Sequence, residues 1–226
     1  MKIIIDAMGG DNAPREIVKG ALKARKELGV ELLLVGKREE IEAVLRDEKV
    51  TDLPEIMDAR DVITMDDDPS TATRRKKDSS MAVALRLLKE GRGDAVVSAG
   101  STGALLTGAT LTVKRIRGIR RAALAPVLPD GGAGCMLIDC GANVECTAEY
   151  LLQFAFMGSF YMKRMHGVSA PRVGLLSNGT EEHKGDALRH EAYALLKDAD
   201  AQGRIRFTGN VEASHTWLRL LLVVLS

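Results

Sequence analysis

The 226-residue sequence is 46% hydrophobic, and 32 Lys and Arg against 31 Asp and Glu leave a formal net charge of +1. That composition can fill a sizeable core, and it excludes the generalised basic field of a nucleic-acid binder, so any electrostatic attraction must be local. The C-terminal apolar run Leu220 to Leu225 is far shorter than the roughly 20 residues of a membrane span, and the opening MKIIIDAMGG lacks a secretory leader pattern, so a cytoplasmic location is expected.

In chain order, short apolar runs read as buried strands at Ile3–Ile5, Leu32–Val35, Ala95–Ser98, Met136–Ile138, Val173–Leu176 and Ile205–Phe207, with stretches of helical period between them. Ile17, Ala21, Ala24 and Leu28 share one helical face, as do Met81, Ala84, Leu85 and Leu88. This alternation predicts an α/β fold with a mostly parallel sheet and helices on both faces. Tyr150–Met165 carries apolar residues all around the helix, which predicts either deep burial or half of a subunit interface. One domain is expected, with Asp66–Ser70 as the stretch that could divide it into lobes. Cys135, Cys140 and Cys146 follow a C-x4-C-x5-C spacing that matches no common zinc arrangement, so buried or half-buried reduced thiols are expected and no metal site.

Four junctions after strands are rich in glycine and small polar residues, which is where open α/β sheets place ligands. The first is Asp6 to Pro14, with Gly9, Gly10 and Asp11, and the second is Ser98 to Ala104, with Gly100, Ser101, Thr102 and Gly103. Adjacent glycines and a helix N-terminus together suit an anion. The third is Asp139 to Asn143, and the fourth is Asn178 to Asp186, which contains Lys184. The dinucleotide and P-loop fingerprints are absent. Ala99 to Gly103 approaches the G-x-S-x-G nucleophile elbow but has Ala at its first position, and only His166, His183, His190 and His215 are available to serve a Ser101 nucleophile. Two basic clusters, Arg74 to Lys77 and Lys114 to Arg121, suggest an acidic partner or an anionic substrate. The first runs into Ser79 and Ser80, where Asp78 or Ser79 can cap a helix.

Five segments taken in order, IDAMGGDNAP, RRKKDSSM, VVSAGSTGALL, LIDCGANVE followed by LLQFAFMGSFY, and RVGLLSNGTEEHKGD, resemble the phosphate acyltransferases of bacterial phospholipid synthesis, the PlsX type. The resemblance implies that inorganic phosphate attacks the thioester carbonyl of acyl-acyl carrier protein, giving an acyl phosphate for a membrane glycerol-3-phosphate acyltransferase. It implies a fold like the isocitrate and isopropylmalate dehydrogenases, a homodimer, peripheral membrane association and no cofactor. On that reading Gly9, Gly10, Gly100, Thr102 and Gly103 form the phosphate and oxyanion cradle, with Asp6, Asp11, Ser98 and Ser101 beside it. Lys184 and Asn143 are the catalytic candidates, Lys184 as the cation, while Asp139 and Asn143 orient the site. Lys76, Lys77, Ser79 and Ser80 line the approach, and the Arg117 to Arg121 cluster docks the acidic carrier.

The sequence departs from that pattern at Ser101, where Asn is usual, at Ser177-Asn178 and at Ala122, which replaces a Pro. The resemblance covers residues 1–212 and fades at Glu212. Residues 213–226 are expected to be a tail foreign to the family, with about a third of the usual chain missing, or Trp217 to Leu225 to form an amphipathic cap. Two rivals follow: a nicotinamide-dependent dehydrogenase of shared fold, and an inactive fragment with an unpaired sheet edge.

Overall fold

The computed structural model describes residues 1–213 and the backbone of residues 221–223. The chain divides into two compact units, Met1–Arg115 and Ile116–Ser226. The Asp66–Ser70 stretch lies inside the first unit and does not separate lobes.

The first unit runs β1 (Lys2–Asp6), α1 (Arg15–Leu28), β2 (Glu31–Gly36), α2 (Arg38–Asp47), β3 (Glu55–Asp58), the short α3 (Ala72–Arg75), α4 (Ser80–Lys89), β4 (Ala95–Val97) and α5 (Thr102–Thr112). Its sheet is parallel throughout, in the order β3-β2-β1-β4. Side chains of a strand alternate between faces, so a sheet covered on both sides reads as continuous apolar sequence. Ile5, Leu32 and Leu34 accordingly pack with Val18, Ala21, Ile41 and Val44 of α1 and α2. Ile4, Leu33 and Val35 face the other way, onto Val83, Ala84 and Leu87 of α4. The chain lays β2 and β3 on one side of β1 and returns to place β4 on the other. The winding therefore reverses between β1 and β4, the position where such sheets open a crevice at their carboxyl ends.

The second unit runs β5 (Val127–Leu128), β6 (Cys135–Ile138), α6 (Ala148–Met165), β7 (Arg172–Leu176), α7 (Ala187–Ala201), β8 (Arg206–Val211) and β9 (Leu221–Val223). Its sheet has the order β5-β6-β9-β7-β8, parallel except for the β5-β6 pair. Met136, Ile138, Val173 and Leu175 meet Leu151, Phe154, Ala192 and Leu196 of α6 and α7 in the largest core of the unit. Among the described residues the other face gathers only Cys135 and Val211, with Leu137 and Leu176.

Several expectations are corrected. Helix α6 is not deeply buried all round, which removes the first of the two expectations for it: Leu151, Phe154, Ala155 and Met162 are buried, whereas Phe160 is 71% and Met165 64% exposed. Cys135 is buried and Cys146 half-buried, but Cys140 is exposed, because it lies in the turn beyond β6. The run read as a strand from Ile205 begins at Arg206 and reaches Val211. Within the tail, Leu221–Val223 is a strand between β6 and β7, pairing Leu222 with both Leu137 and Gly174. His215 and the rest of the Trp217 to Leu225 segment lie outside the described residues. Among the described residues no helix is long and apolar enough to cross a membrane.

Candidate functional site

The loops leaving β1 and β4 meet at the reversal point of the first sheet. Asp6, the last residue of β1, is 1% exposed. Ser98 Oγ donates to Asp6 Oδ2 at 2.6 Å and accepts the Gly100 N–H at 3.1 Å. A Cβ on Gly9 would lie 2.7 Å from Asp6 Oδ2, 2.9 Å from Gly100 N and 3.0 Å from Ser98 Oγ, so only glycine lets the two loops pack this closely. Gly10, at φ 108°, turns the first loop away in a conformation that side chains rarely adopt. Asp6 Oδ1 is buried and has no hydrogen-bond partner among the described residues.

The second loop leads directly into α5. Ser101 is its N-cap, its Oγ accepting the Ala104 N–H at 3.4 Å, and it is 5% exposed. That hydroxyl is occupied as a cap. The Thr102 and Gly103 amides open the helix, where no intrahelical acceptor exists for them and where the helix dipole favours an anion. A Cβ on Gly103 would lie 2.9 Å from Pro69, so the Asp66–Ser70 stretch packs on the first turn of α5.

The residues expected to line the approach are engaged differently from one another. Lys76 Nζ holds Asp67 Oδ2 at 2.7 Å and the Val62 carbonyl at 2.9 Å. The Lys76 hydrogen bond first, and the Thr64 N–H second, keep the Asp67 carboxyl below its ordinary range. Ser79, fully buried, caps α4 by accepting the Ala82 N–H at 3.3 Å, and the N–H of buried Ser80 donates to the Asp61 carbonyl at 3.2 Å. Lys77 and Asp11 are exposed.

In the second unit Asp139 is 2% exposed and is a hub of hydrogen bonds. Oδ1 accepts the N–H groups of Leu124 at 2.7 Å and Ala142 at 3.2 Å. Oδ2 accepts the Asn143 N–H at 2.8 Å and Asn143 Nδ2 at 3.0 Å, and Nδ2 also donates to the Ala122 carbonyl at 2.9 Å. Both hydrogens of the Asn143 amide are thus committed to holding the loop.

The loop carrying Lys184 lies in the same unit. Asp186 caps α7, accepting the Arg189 N–H at 2.9 Å and Arg189 Nη1 at 2.8 Å. The Arg189 N–H, foremost, holds the Asp186 carboxyl below its usual range. A cavity of about 420 Å³ opens here, lined by Ser177, Asn178, Gly185, Asp186, Arg189 and neighbours. Lys184 is half-buried, and its ammonium forms no ion pair among the described residues. Its N–H and Asn210 Nδ2 both donate to the Glu181 carbonyl, at 3.0 and 2.8 Å. Asn210, 4% exposed, was not among the candidates read from sequence, because one Asn in a strand gives no signal until the Glu181 turn is placed beside it. In the basic cluster Arg120 pairs with Glu149 at 2.7 Å and the Arg121 guanidinium lies 5.6 Å over the Tyr150 ring, while Lys114 and Arg117 are exposed.

The structure therefore gathers Asp6, Gly9, Gly10, Ser98, Gly100, Ser101, Thr102 and Gly103 in one unit, while in the other it joins Asp139 to Asn143 and sets Lys184 on a different loop, after β7. A family model described as "Fatty acid synthesis protein" matches residues 1–220. The chain belongs to that family. A phosphate acyltransferase of Clostridium kluyveri is 49% identical over 213 residues, 94% of this chain and 63% of that protein. The resemblance read from the five segments is thereby borne out, and the chain spans less than two thirds of the length of such curated relatives. Among solved structures, the EutD phosphotransacetylase of Staphylococcus aureus superposes with a TM-score of 0.71 at 16% identity, covering 99% of this chain and 77% of the other. A Salmonella typhimurium protein described as a 4-hydroxythreonine-4-phosphate dehydrogenase gives 0.53 at 14%, covering 99% and 80%. These two likenesses establish the α/β fold alone.

Proposed function

We propose that the chain holds inorganic phosphate for attack on the thioester carbonyl of acyl-acyl carrier protein, yielding acyl phosphate and the carrier thiol. The observation that carries this reading is the pair of glycine-rich loops at the reversal point of the first sheet, with the Thr102 and Gly103 amides left open at the start of α5. Phosphate is already nucleophilic at neutral pH, so the reaction needs positioning and charge stabilisation more than an enzymic nucleophile. In this proposal Gly10, Thr102 and Gly103 offer amides, while Gly9 and Gly100 contribute the lack of side chains that brings the loops together. A phosphate oxygen forms the new bond to the carbonyl carbon, the carbon–sulfur bond breaks, and the proton of hydrogen phosphate ends on the thiolate. Lys184 is the cation proposed for the developing negative charge.

The Arg117 to Arg121 cluster would dock the acidic carrier, with an association rate that falls as salt rises. The acyl phosphate would pass to a membrane glycerol-3-phosphate acyltransferase, with this chain acting as a cytoplasmic homodimer at the membrane periphery and using no cofactor. The test is carrier-thiol release from long-chain acyl-acyl carrier protein by the purified chain. Release that requires phosphate is expected; release independent of phosphate, or none from the folded chain, contradicts the proposal for this chain.

A further inference from the structure

A hydroxyl has one proton and two lone pairs. The Ser98 proton is fixed on Asp6 Oδ2 at 2.6 Å, and one lone pair receives the Gly100 N–H at 3.1 Å. Ser98 is half-buried, so what it has left for a ligand is a single lone pair. Any group that hydrogen-bonds to it must bring the proton. Asp6, 1% exposed and set between the two loops, keeps Oδ1 without a donor. A buried acceptor without a donor is costly, and an exception of that kind calls for a cause. The cradle thus has amide donors at Gly10, Thr102 and Gly103, and a Ser98 hydroxyl that only accepts, because buried Asp6 holds its proton.

We infer that the Asp6–Ser98 pair makes this cradle selective for a tetrahedral oxyanion that carries a proton, hydrogen phosphate, over the unprotonated anion of the same shape, sulfate. The inference rests on the reading of the two loops as a phosphate cradle. Hydrogen phosphate directs its unprotonated oxygens to the amides and donates its P–OH to Ser98 Oγ. Sulfate has no proton to give near neutral pH, so it sets an oxygen lone pair against the Ser98 lone pair, with the Asp6 carboxylate behind it. Discrimination through a buried group left unpaired by the wrong ligand is strong compared with discrimination by size.

Asp6→Asn tests the mechanism, because it keeps the shape but reverses the polarity. A side-chain amide can donate to Ser98 Oγ and release the Ser98 proton to point at the ligand. Calorimetric titration of the purified chain with inorganic phosphate and with sulfate, at matched ionic strength, should give a wild-type preference for phosphate of about tenfold or more. Arsenate, which also carries a proton, should follow phosphate. In Asp6→Asn the preference should fall to within about threefold, with sulfate binding more tightly than to wild type. Ser98→Ala, with circular dichroism as the check on folding, should weaken phosphate and bind sulfate at least as tightly as wild type does. Equal wild-type affinity for phosphate and sulfate would overturn the inference and leave the cradle standing, as would an undiminished preference in either folded variant. If neither anion binds the folded wild-type chain, the cradle reading fails and this inference falls with it.

Discussion

Two aspartates stand at the carboxyl ends of strands, one in each unit, and both are nearly inaccessible: Asp6 closing β1 is 1% exposed and Asp139 following β6 is 2%. Their surroundings are opposite in kind. Asp139 accepts four hydrogen bonds, two on each oxygen, and ties its own loop to the Ala122–Leu124 segment. Asp6 accepts one side-chain hydrogen bond, from Ser98, and leaves an oxygen without a partner. The same side chain at the same kind of position is a fastener in one unit and an incompletely satisfied group beside an open helix N-terminus in the other. Position after a strand marks both as candidates; the count of donors separates the saturated carboxylate from the one at the proposed phosphate cradle.

Isosteric replacement gives the sharpest contrast. Asp139→Asn sets an amide against backbone donors and should lower stability by about 3 to 5 kcal/mol, read from urea denaturation. The matching Asp6→Asn should change it by no more than about 1 kcal/mol, since one bond is altered. Equal losses would erase the distinction. Within the second unit, Lys184→Ala separates chemistry from scaffolding: turnover in the phosphate-dependent assay should fall by about 2 to 4 kcal/mol of transition-state stabilisation while the unfolding midpoint holds. Near-normal turnover would remove Lys184 from the mechanism.

Gly9→Ala drives a methyl between Asp6, Ser98 and Gly100 and should cost about 1 to 3 kcal/mol of stability, together with weaker phosphate binding in the same titration. A variant as stable as wild type would mean that the loops need not meet so closely. The smallest effect is expected at Asp186→Ala, about 1 kcal/mol from the lost cap of α7. The Arg189 N–H lowers the Asp186 carboxyl pKa in the folded chain. Its contribution is therefore complete above the ordinary carboxylate value and disappears as pH falls through the depressed one. Thermal midpoints should accordingly fall less on acidification in Asp186→Ala than in wild type.

What could be read from the sequence followed from sheet physics. Strands covered on both faces print continuous apolar runs, and β1, β2, β6 and β7 were legible for that reason. The edge strand β3 mixes Glu55 and Asp58 with two apolar residues, β5 has two residues, and β9 depends on pairing with β6 and β7, so local pattern did not expose them. The glycine loops were legible because close backbone approach demands particular residue types. The partners of polar side chains were not. Lys76 read as part of a cationic run, yet its ammonium is held by Asp67 and the Val62 carbonyl. Asn143 is a catalytic candidate by its place in a loop, and the sequence does not show that its amide hydrogens serve Asp139 and Ala122. Those contacts join residues 4 to 21 positions apart in sequence, at separations no periodicity supplies.

The central claim is that the loops after β1 and β4 hold inorganic phosphate, and amide resonances of the 15N-labelled chain titrated with phosphate test it most directly. Saturable shifts confined to Gly10, Thr102, Gly103 and their immediate neighbours are predicted. A folded chain whose Thr102 and Gly103 amides do not respond, or that responds only in the second unit, would contradict the account.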